Sequence, residues 1–172
     1  IFGDQVLHMD QGLLIGYFLM IQFTAFLGSL IFGRITTALG NKRTLLITLF
    51  VWCAVVLFAF GIGWSGAPVV EYFIIGIVAG MVMGASQAVA RGLQGTFTPE
   101  GREAEFFGFF AVSGKFAAIF GPLTYGIMVA ITGSLRTAIL ALIVFFAVGI
   151  VLLWRVDEEE GREAARAGIG TE

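Results

Sequence analysis

Five long stretches of the sequence carry no charged side chain, apart from one lysine, and they limit the fold more than any other feature. They cover residues 11–33, 44–70, 72–90, 106–135 and 137–154, and the lysine is Lys115. An apolar run of about 18 residues or more, folded as an α-helix, crosses a hydrocarbon core about 30 Å thick. An α-helix also satisfies its backbone hydrogen bonds internally, which lipid requires. The sequence therefore predicts an all-α, polytopic membrane bundle with five transmembrane helices.

The composition agrees with a membrane protein and argues against several other classes. Charged residues make up 13% of the 172 residues, and the mean hydropathy is +0.95, whereas soluble domains carry about 25% charged residues. No basic stripe indicates a nucleic-acid partner, and the single cysteine, Cys53, excludes an internal disulfide. The sequence has no Walker loop, metal-ligand cluster or nucleophile triad, so we expect no cofactor and no enzymatic activity. The expected partner is the lipid bilayer.

The distribution of basic residues predicts which loops are cytoplasmic. They cluster after spans one, three and five, whereas Arg136 is the only one in the opposite loops. Because cytoplasmic loops are enriched in lysine and arginine, we expect the C-terminus inside the cell. We divide the chain into a transmembrane bundle over residues 1–155 and an acidic cytoplasmic tail over residues 156–172, expected to be a frayed helix or disordered. The external start and the odd number of spans favour a missing upstream helix, which would complete half of a twelve-helix transporter.

The spans differ in polarity, and the difference separates lipid-facing helices from helices that are candidates for a solute pathway. Spans two and five are nearly free of polar side chains, which suits a peripheral position. Spans one, three and four carry the candidates for lining a pathway, which are Gln22, Gln87, Lys115 and Tyr125. Span three also has small residues at intervals of four, a pattern that allows close helix packing. These residues are Gly76, Gly80, Gly84, Ala88 and Gly92.

Lys115 is the most informative of these residues. It lies about 15 Å into its helix, counted from Glu105 at about 1.5 Å per residue, and therefore near the middle of the membrane. A charged group at this depth is costly, so it should face an aqueous cavity or a partner of opposite charge. Two interpretations stay open, an ion pair that only stabilises the bundle and a role in solute binding. Arg91 is likewise either a cavity residue or a side chain that extends to the cytoplasmic interface.

The loop after span one resembles a known motif. Its two glycines and the basic pair behind them follow the order of the cytoplasmic loop motif of the major facilitator superfamily. The matching residues are Gly33, Gly40, Lys42 and Arg43. The acidic position of the motif holds Thr37, which departs from the pattern. The resemblance implies a transporter fold of twelve helices.

A second series of residues resembles one branch of that superfamily, the vacuole-effluxer-like or Unknown Major Facilitator branch, over nearly all of residues 2–166. The matching stretches are residues 99–108, 113–115, 121–123, 132–136 and 156–158. The resemblance implies that the five spans are helices eight to twelve of a C-terminal half. Helices eight, ten and eleven would then line the pathway with a helix seven outside the chain, and nine and twelve would be peripheral.

The same resemblance implies a small transported solute, the missing N-terminal half of the transporter as a partner, and a prokaryotic cell membrane as the location. Fungal members of the branch are associated with amino-acid efflux, and Lys115 suits a carboxylate-bearing solute electrostatically. Charged residues on the cytoplasmic side are candidates for a gate, and we expect ion pairs between them and neighbouring loops. The gate candidates are Arg91, Arg102, Glu103 and Glu105.

Three functions are compatible with these features to different degrees. The leading hypothesis is a secondary active transporter that works by alternating access. The alternative is a non-transporting membrane scaffold or partner-binding half-bundle. An intramembrane enzyme is disfavoured, because no acid or histidine accompanies Lys115 within the spans.

Overall fold

The computed structural model describes residues 9–64 and 66–168, and this part of the chain forms six α-helices. They are α1 (Gln11–Leu39), α2 (Asn41–Phe60), α3 (Pro68–Thr96), α4 (Glu103–Thr132), α5 (Leu135–Arg155) and α6 (Glu158–Ala167). The first five are long and apolar enough to cross a membrane, which confirms the predicted all-α polytopic bundle. Most of the expected external loop, at residues 1–8, and the end of the expected tail, at residues 169–172, lie outside the described residues.

One predicted span contains two helix ends. The uncharged stretch 44–70 includes the end of α2 at Phe60 and the start of α3 at Pro68. Between them, Gly63 and Gly66 have φ angles of 94° and 85°, which side chains other than glycine rarely adopt. Pro68 occupies the helix start, where its missing N–H costs no hydrogen bond. The limit drawn from charge alone was therefore wrong here, because glycine and proline end these helices rather than a charged residue.

Helices α1 and α3 run in the same direction and approach each other closely through glycines. A Cβ atom on Gly28 would overlap the carbonyl oxygen of Met81, and a Cβ atom on Gly84 would overlap that of Ala25. Gly80 meets α1 in the same way. Small residues at such positions allow backbones to come into contact, which favours helix association in lipid. The predicted packing role is confirmed for this part of the glycine stripe.

Helix α2 is more buried than the predicted peripheral position implies. Its Thr44 and Thr48 side chains are fully buried, and both hydroxyl groups donate to carbonyl oxygens of the preceding turn. Trp52 stacks on Phe146 of α5 with ring centroids 5.6 Å apart. The opposite side exposes large apolar residues such as Phe50, as expected for contact with lipid. One side of α2 therefore belongs to the interior of the bundle, next to α3 and α5.

The acidic tail differs from the expected frayed or disordered segment. Asp157 accepts hydrogen bonds from the N–H groups of Glu159 and Glu160 at 2.9 and 3.2 Å, which caps α6. Ala165 is buried, and Gly161 lies directly against the ring of Phe97, which follows α3. Because α6 has a cap and a small-residue face that packs on the bundle, the acidic composition does not prevent folding.

Candidate functional site

Helix α4 is packed differently from the other membrane-spanning helices. The structure describes every residue of α4, and none of them is buried. The helices α1, α2, α3 and α5 each bury at least one residue. Its main contacts are with α5 and, to a small extent, α3. Every residue from 111 to 120 is exposed. In a membrane, this face must be covered by lipid, by water or by further protein.

Lys115 lies in the middle of this exposed helix. At about 1.5 Å per residue, Glu103 at one end is about 18 Å away and Thr132 at the other about 25 Å. Within the described residues, its ammonium group forms no hydrogen bond and no ion pair. A lysine in lipid needs water or an opposite charge, and neither helix end is within its reach. The predicted central cation thus has no partner among the residues that the structure describes.

A stripe of small residues surrounds Lys115 on the same face of α4. Together with Lys115, the stripe residues follow intervals of three or four, which keeps them in one line along a helix. They are Ala104, Gly108, Ala111, Ala118, Pro122 and Gly126, and all are exposed. A Cβ atom on Gly108 or Gly126 would have no neighbour within 4 Å. The intervals of three and four that mark this stripe are visible in the sequence, but the predicted small-residue pattern included only intervals of four.

The other pathway candidates lie on three different helices. Gln22 is exposed on α1 and Gln87 is exposed on α3, and the structure shows no substantial contact of α4 with α1. Tyr125 is half-buried, and its hydroxyl donates to the carbonyl oxygen of Leu135 at 3.4 Å. That bond directs the hydroxyl towards the first turn of α5. Among the described residues, no hydrogen bond joins any two of the four candidates.

The gate candidates are also separate, and the expected ion pairs with neighbouring loops do not occur among the described residues. Arg102, the residue before α4, pairs with Glu105 in the first turn of that helix, at 2.6 Å. Glu103 accepts a hydrogen bond from the N–H of Gly101 at 3.1 Å. Arg91 is exposed near the end of α3. Glu103 and Glu105 thus stabilise the start of α4, because acids near a helix N-terminus interact favourably with the helix dipole.

The cytoplasmic loop motif forms the junction between α1 and α2. Gly40 has a φ angle of 83°, and this left-handed conformation lets the chain leave α1 and enter α2 without an intervening loop. Gly33 faces open space and Arg43 is exposed. A glycine at position 40 is therefore required by the backbone, whereas the structure shows no such requirement at position 33.

Lys42 connects this junction to the other end of the chain. Its ammonium group donates to the carbonyl oxygen of Trp154 at 3.1 Å, and its backbone N–H donates to a carboxylate oxygen of Glu158 at 3.0 Å. Glu158 was not among the predicted functional residues. Its contact with Lys42 joins positions 116 residues apart, and no local pattern indicates it.

Comparison with known proteins places the chain in a family. The family described as vacuole effluxer Atg22 like matches residues 1–166. The chain belongs to this family. This result confirms the resemblance to the vacuole-effluxer-like branch that residues 99–108 and the later stretches indicated.

The Atg22-like chain has relatives in bacteria and fungi. The uncharacterized MFS-type transporter YxiO of Bacillus subtilis is 30% identical over 138 residues, which are 80% of this chain and 31% of that protein. Autophagy-related protein 22-1 of Phaeosphaeria nodorum is 39% identical over 97 residues, or 56% of this chain and 17% of that protein. Autophagy-related protein 22 of Botryotinia fuckeliana is 40% identical over 95 residues, or 55% and 16%.

The Atg22-like chain thus spans about a third of the length of its Bacillus relative and about a sixth of the fungal ones. No solved structure matches it. The relatives are much longer than this five-helix bundle. The chain resembles only a part of each of them.

Proposed function

We propose that this chain is the C-terminal half-bundle of a secondary active transporter that moves a small solute by alternating access. Its five membrane helices would be helices eight to twelve of the major facilitator fold, with the tail on the cytoplasmic side of a prokaryotic cell membrane. Membership of the Atg22-like family and the MFS-type name of the Bacillus relative support this proposal. A non-transporting scaffold is the outcome to be expected if the proposal fails.

One observation carries the proposal: Lys115 lies in the middle of an exposed helix and forms no ion pair with any residue that the structure describes. Against acyl chains, this ammonium would be strongly unfavourable, so α4 should border water or a partner of opposite charge. A water-filled pathway between this half-bundle and a second half supplies both. The small residues around Lys115 leave room for a solute or for close approach of another helix. We therefore place the solute pathway along this face of α4.

The chemistry of Lys115 also suggests the class of solute. An ammonium group in a site of low polarity binds a carboxylate through charge-assisted hydrogen bonds, which are stronger than neutral ones. We propose a carboxylate-bearing solute, with amino acids as the leading class and efflux as the direction. Gln22, Gln87 and Tyr125 remain candidates for lining the pathway. Arg91, Arg102, Glu103 and Glu105 remain candidates for a cytoplasmic gate.

The proposal is tested by removing the charge of Lys115 in the full-length protein. We expect Lys115→Ala and Lys115→Met to lower transport of carboxylate solutes in proteoliposomes at least about tenfold, since a hydrogen bond to a charged group contributes about 1.5–3 kcal/mol. The measurement is uptake and efflux of radiolabelled L-leucine, L-glutamate and L-lactate, with glucose as a solute that lacks a carboxylate.

Two variants control this experiment. Lys115→Arg keeps the positive charge and should retain more transport than Lys115→Met. Phe116→Ala alters the neighbouring, exposed side of α4 at the same depth and should have a smaller effect. Unchanged uptake and efflux of every tested solute in Lys115→Ala and Lys115→Met would show that the site is assigned incorrectly.

A further inference from the structure

The residue that precedes α2 in the sequence provides no side-chain cap for the N-terminus of this helix. The first N–H groups of a helix have no partner within it, and they attract a side-chain oxygen or a negative charge. The residue before α2 is Gly40, which has no side chain, and the first turn of α2 contains no acid. Thr37, at the acidic position of the loop motif, donates its hydroxyl back to the carbonyl of Arg34 at 2.6 Å. The cap must therefore come from elsewhere.

Glu158, at the start of α6, supplies it. One of its carboxylate oxygens accepts the Lys42 N–H at 3.0 Å, and the same oxygen lies 3.5 Å from where a Cβ atom of Gly40 would be. The side chain is only 18% exposed, and its other oxygen faces Arg162 at 3.6 Å. A carboxylate at this place satisfies an otherwise unpaired N–H and interacts favourably with the positive end of α2.

The side chain of Lys42 forms the opposite contact. Its ammonium group donates to the carbonyl oxygen of Trp154, in the last turn of α5. The last carbonyl groups of a helix lack partners within it and carry a partial negative charge, so a cation is favourable there. Two contacts thus join these helix ends. The carboxylate of Glu158 in α6 caps the N-terminus of α2, and the ammonium group of Lys42 in α2 binds the C-terminus of α5.

The same segment also contacts the end of α3. Gly161 lies against Phe97, and Ala165 is buried, so the small face of α6 rests on the chain that follows α3. Asn41, the first residue of α2, donates to the hydroxyl of Thr96 at 3.3 Å. The cytoplasmic ends of α2, α3 and α5 are therefore joined through a few polar contacts and α6. Within the described residues, α4 is joined to the end of α3 by a hydrogen bond from the Gln94 side chain to the carbonyl oxygen of Phe106 at 3.3 Å, and it packs mainly on α5.

We propose that Glu158 is a positioning residue of the transport cycle, because its carboxylate caps α2 from α6 and holds the cytoplasmic ends of α2, α3 and α5 together as one moving unit. This role rests on the proposed transport function. Alternating access requires parts of the bundle to move as bodies rather than to deform. A capped junction of three helix ends provides such a body.

The first test measures the cap itself and needs no substrate. In the full-length protein in detergent, we expect Glu158→Ala to speed amide hydrogen exchange in the first turn of α2, residues 41–44, by about fivefold, since loss of a cap costs about 1 kcal/mol. Glu158→Gln keeps an acceptor oxygen and should show a smaller increase. Glu163→Ala removes an exposed acid of the same helix and should leave this exchange unchanged.

A variant of Lys42 separates a cap from a simple ion pair. Because Glu158 accepts the backbone N–H of residue 42, Lys42→Met should leave exchange in the first turn of α2 close to that of the unchanged protein. If Glu158 acted only through the Lys42 ammonium, both variants would increase the exchange equally, and the proposed cap would be wrong. Unchanged exchange in Glu158→Ala would overturn it as well.

The second test measures the role in transport. With whichever carboxylate solute the full-length protein carries, Glu158→Ala should lower the maximal rate about fivefold, while KM changes less than about twofold because Lys115 is unaffected. Glu158→Gln should recover part of the rate, and Glu163→Ala should not alter it. Faster exchange with an unchanged maximal rate would overturn the positioning role but leave the proposed function intact. Failure of Lys115 variants to affect transport is a separate result that concerns only the proposed function.

Discussion

Helices α3 and α4 each carry a stripe of small residues, yet only one of the two stripes is covered. On α3, Gly80 and Gly84 contact the backbone of α1 so closely that no side chain fits between the helices. On α4, Gly108 and Gly126 face open space. Since small residues in lipid serve close approach of other groups, the covered stripe is a finished interface. The open stripe indicates a surface that meets something beyond the described residues.

The polar groups on the two stripes differ in the same sense. The hydroxyl of Thr24, buried where α1 meets α3, donates to the carbonyl of Ile21 at 3.0 Å and needs no further partner. Lys115 on the open stripe has no partner within the described residues. A satisfied hydroxyl is compatible with permanent packing, whereas an unpaired ammonium in a membrane requires a ligand, water or a counter-charge. A stripe of small residues therefore indicates a functional surface only where the polar group beside it lacks a partner.

The largest expected effect comes from filling the covered stripe. We expect Gly84→Ala to destabilise the protein by about 1–3 kcal/mol, because its Cβ would overlap the carbonyl oxygen of Ala25 and the backbones would have to separate. The measurement is reversible unfolding or thermal melting in detergent. Stability equal to that of the unchanged protein would show that α1 and α3 are not in backbone contact.

The matching change on the open stripe should have the opposite sign. We expect Gly126→Ala to leave stability unchanged or to raise it by about 0.5–1 kcal/mol, because alanine restricts the unfolded chain and favours a helix. No atom lies within 4 Å of the added Cβ. The same melting experiment on both variants makes the comparison direct. A loss of stability as large as that of Gly84→Ala would mean that the face of α4 is already covered, and the contrast between the two stripes would disappear.

Much of this fold could be predicted from the sequence, because lipid permits few solutions. The absence of charge over residues 137–154 placed α5 within a few residues of its observed limits. The limit between α2 and α3 could not be found from charge, because the turn between Phe60 and Pro68 contains no charged residue and is formed with Gly63 and Gly66 at positive φ. The glycine stripe of α3 was recognised because its spacing of four is regular. That of α4, with mixed intervals around Lys115, was missed.

The candidate site was less predictable than the fold, for a physical reason. Depth along a helix follows from residue number, so the position of Lys115 near mid-span was accessible from the sequence. The contact between Glu158 and Lys42 depends on how the ends of α2 and α5 pack, and no local pattern encodes it. The charged tail was expected to be frayed or disordered because it is acidic. Its fold depends instead on the cap from Asp157 and on the burial of Ala165.

The smallest expected effect concerns the start of α4. Arg102, just before this helix, and Glu105, in its first turn, form an exposed pair with side chains 58% and 47% exposed. Water screens such a pair, and its contribution to stability is about 0.5 kcal/mol or less. We therefore expect Arg102→Gln to change stability by no more than about this amount, and addition of salt to reduce the difference further.

A loss above about 1 kcal/mol would show that Arg102 binds an acid on another helix or on another chain, as a closed cytoplasmic gate requires. Measuring Arg102→Gln and Glu103→Gln side by side would distinguish that gate from a local cap, because only the gate predicts similar losses in both variants.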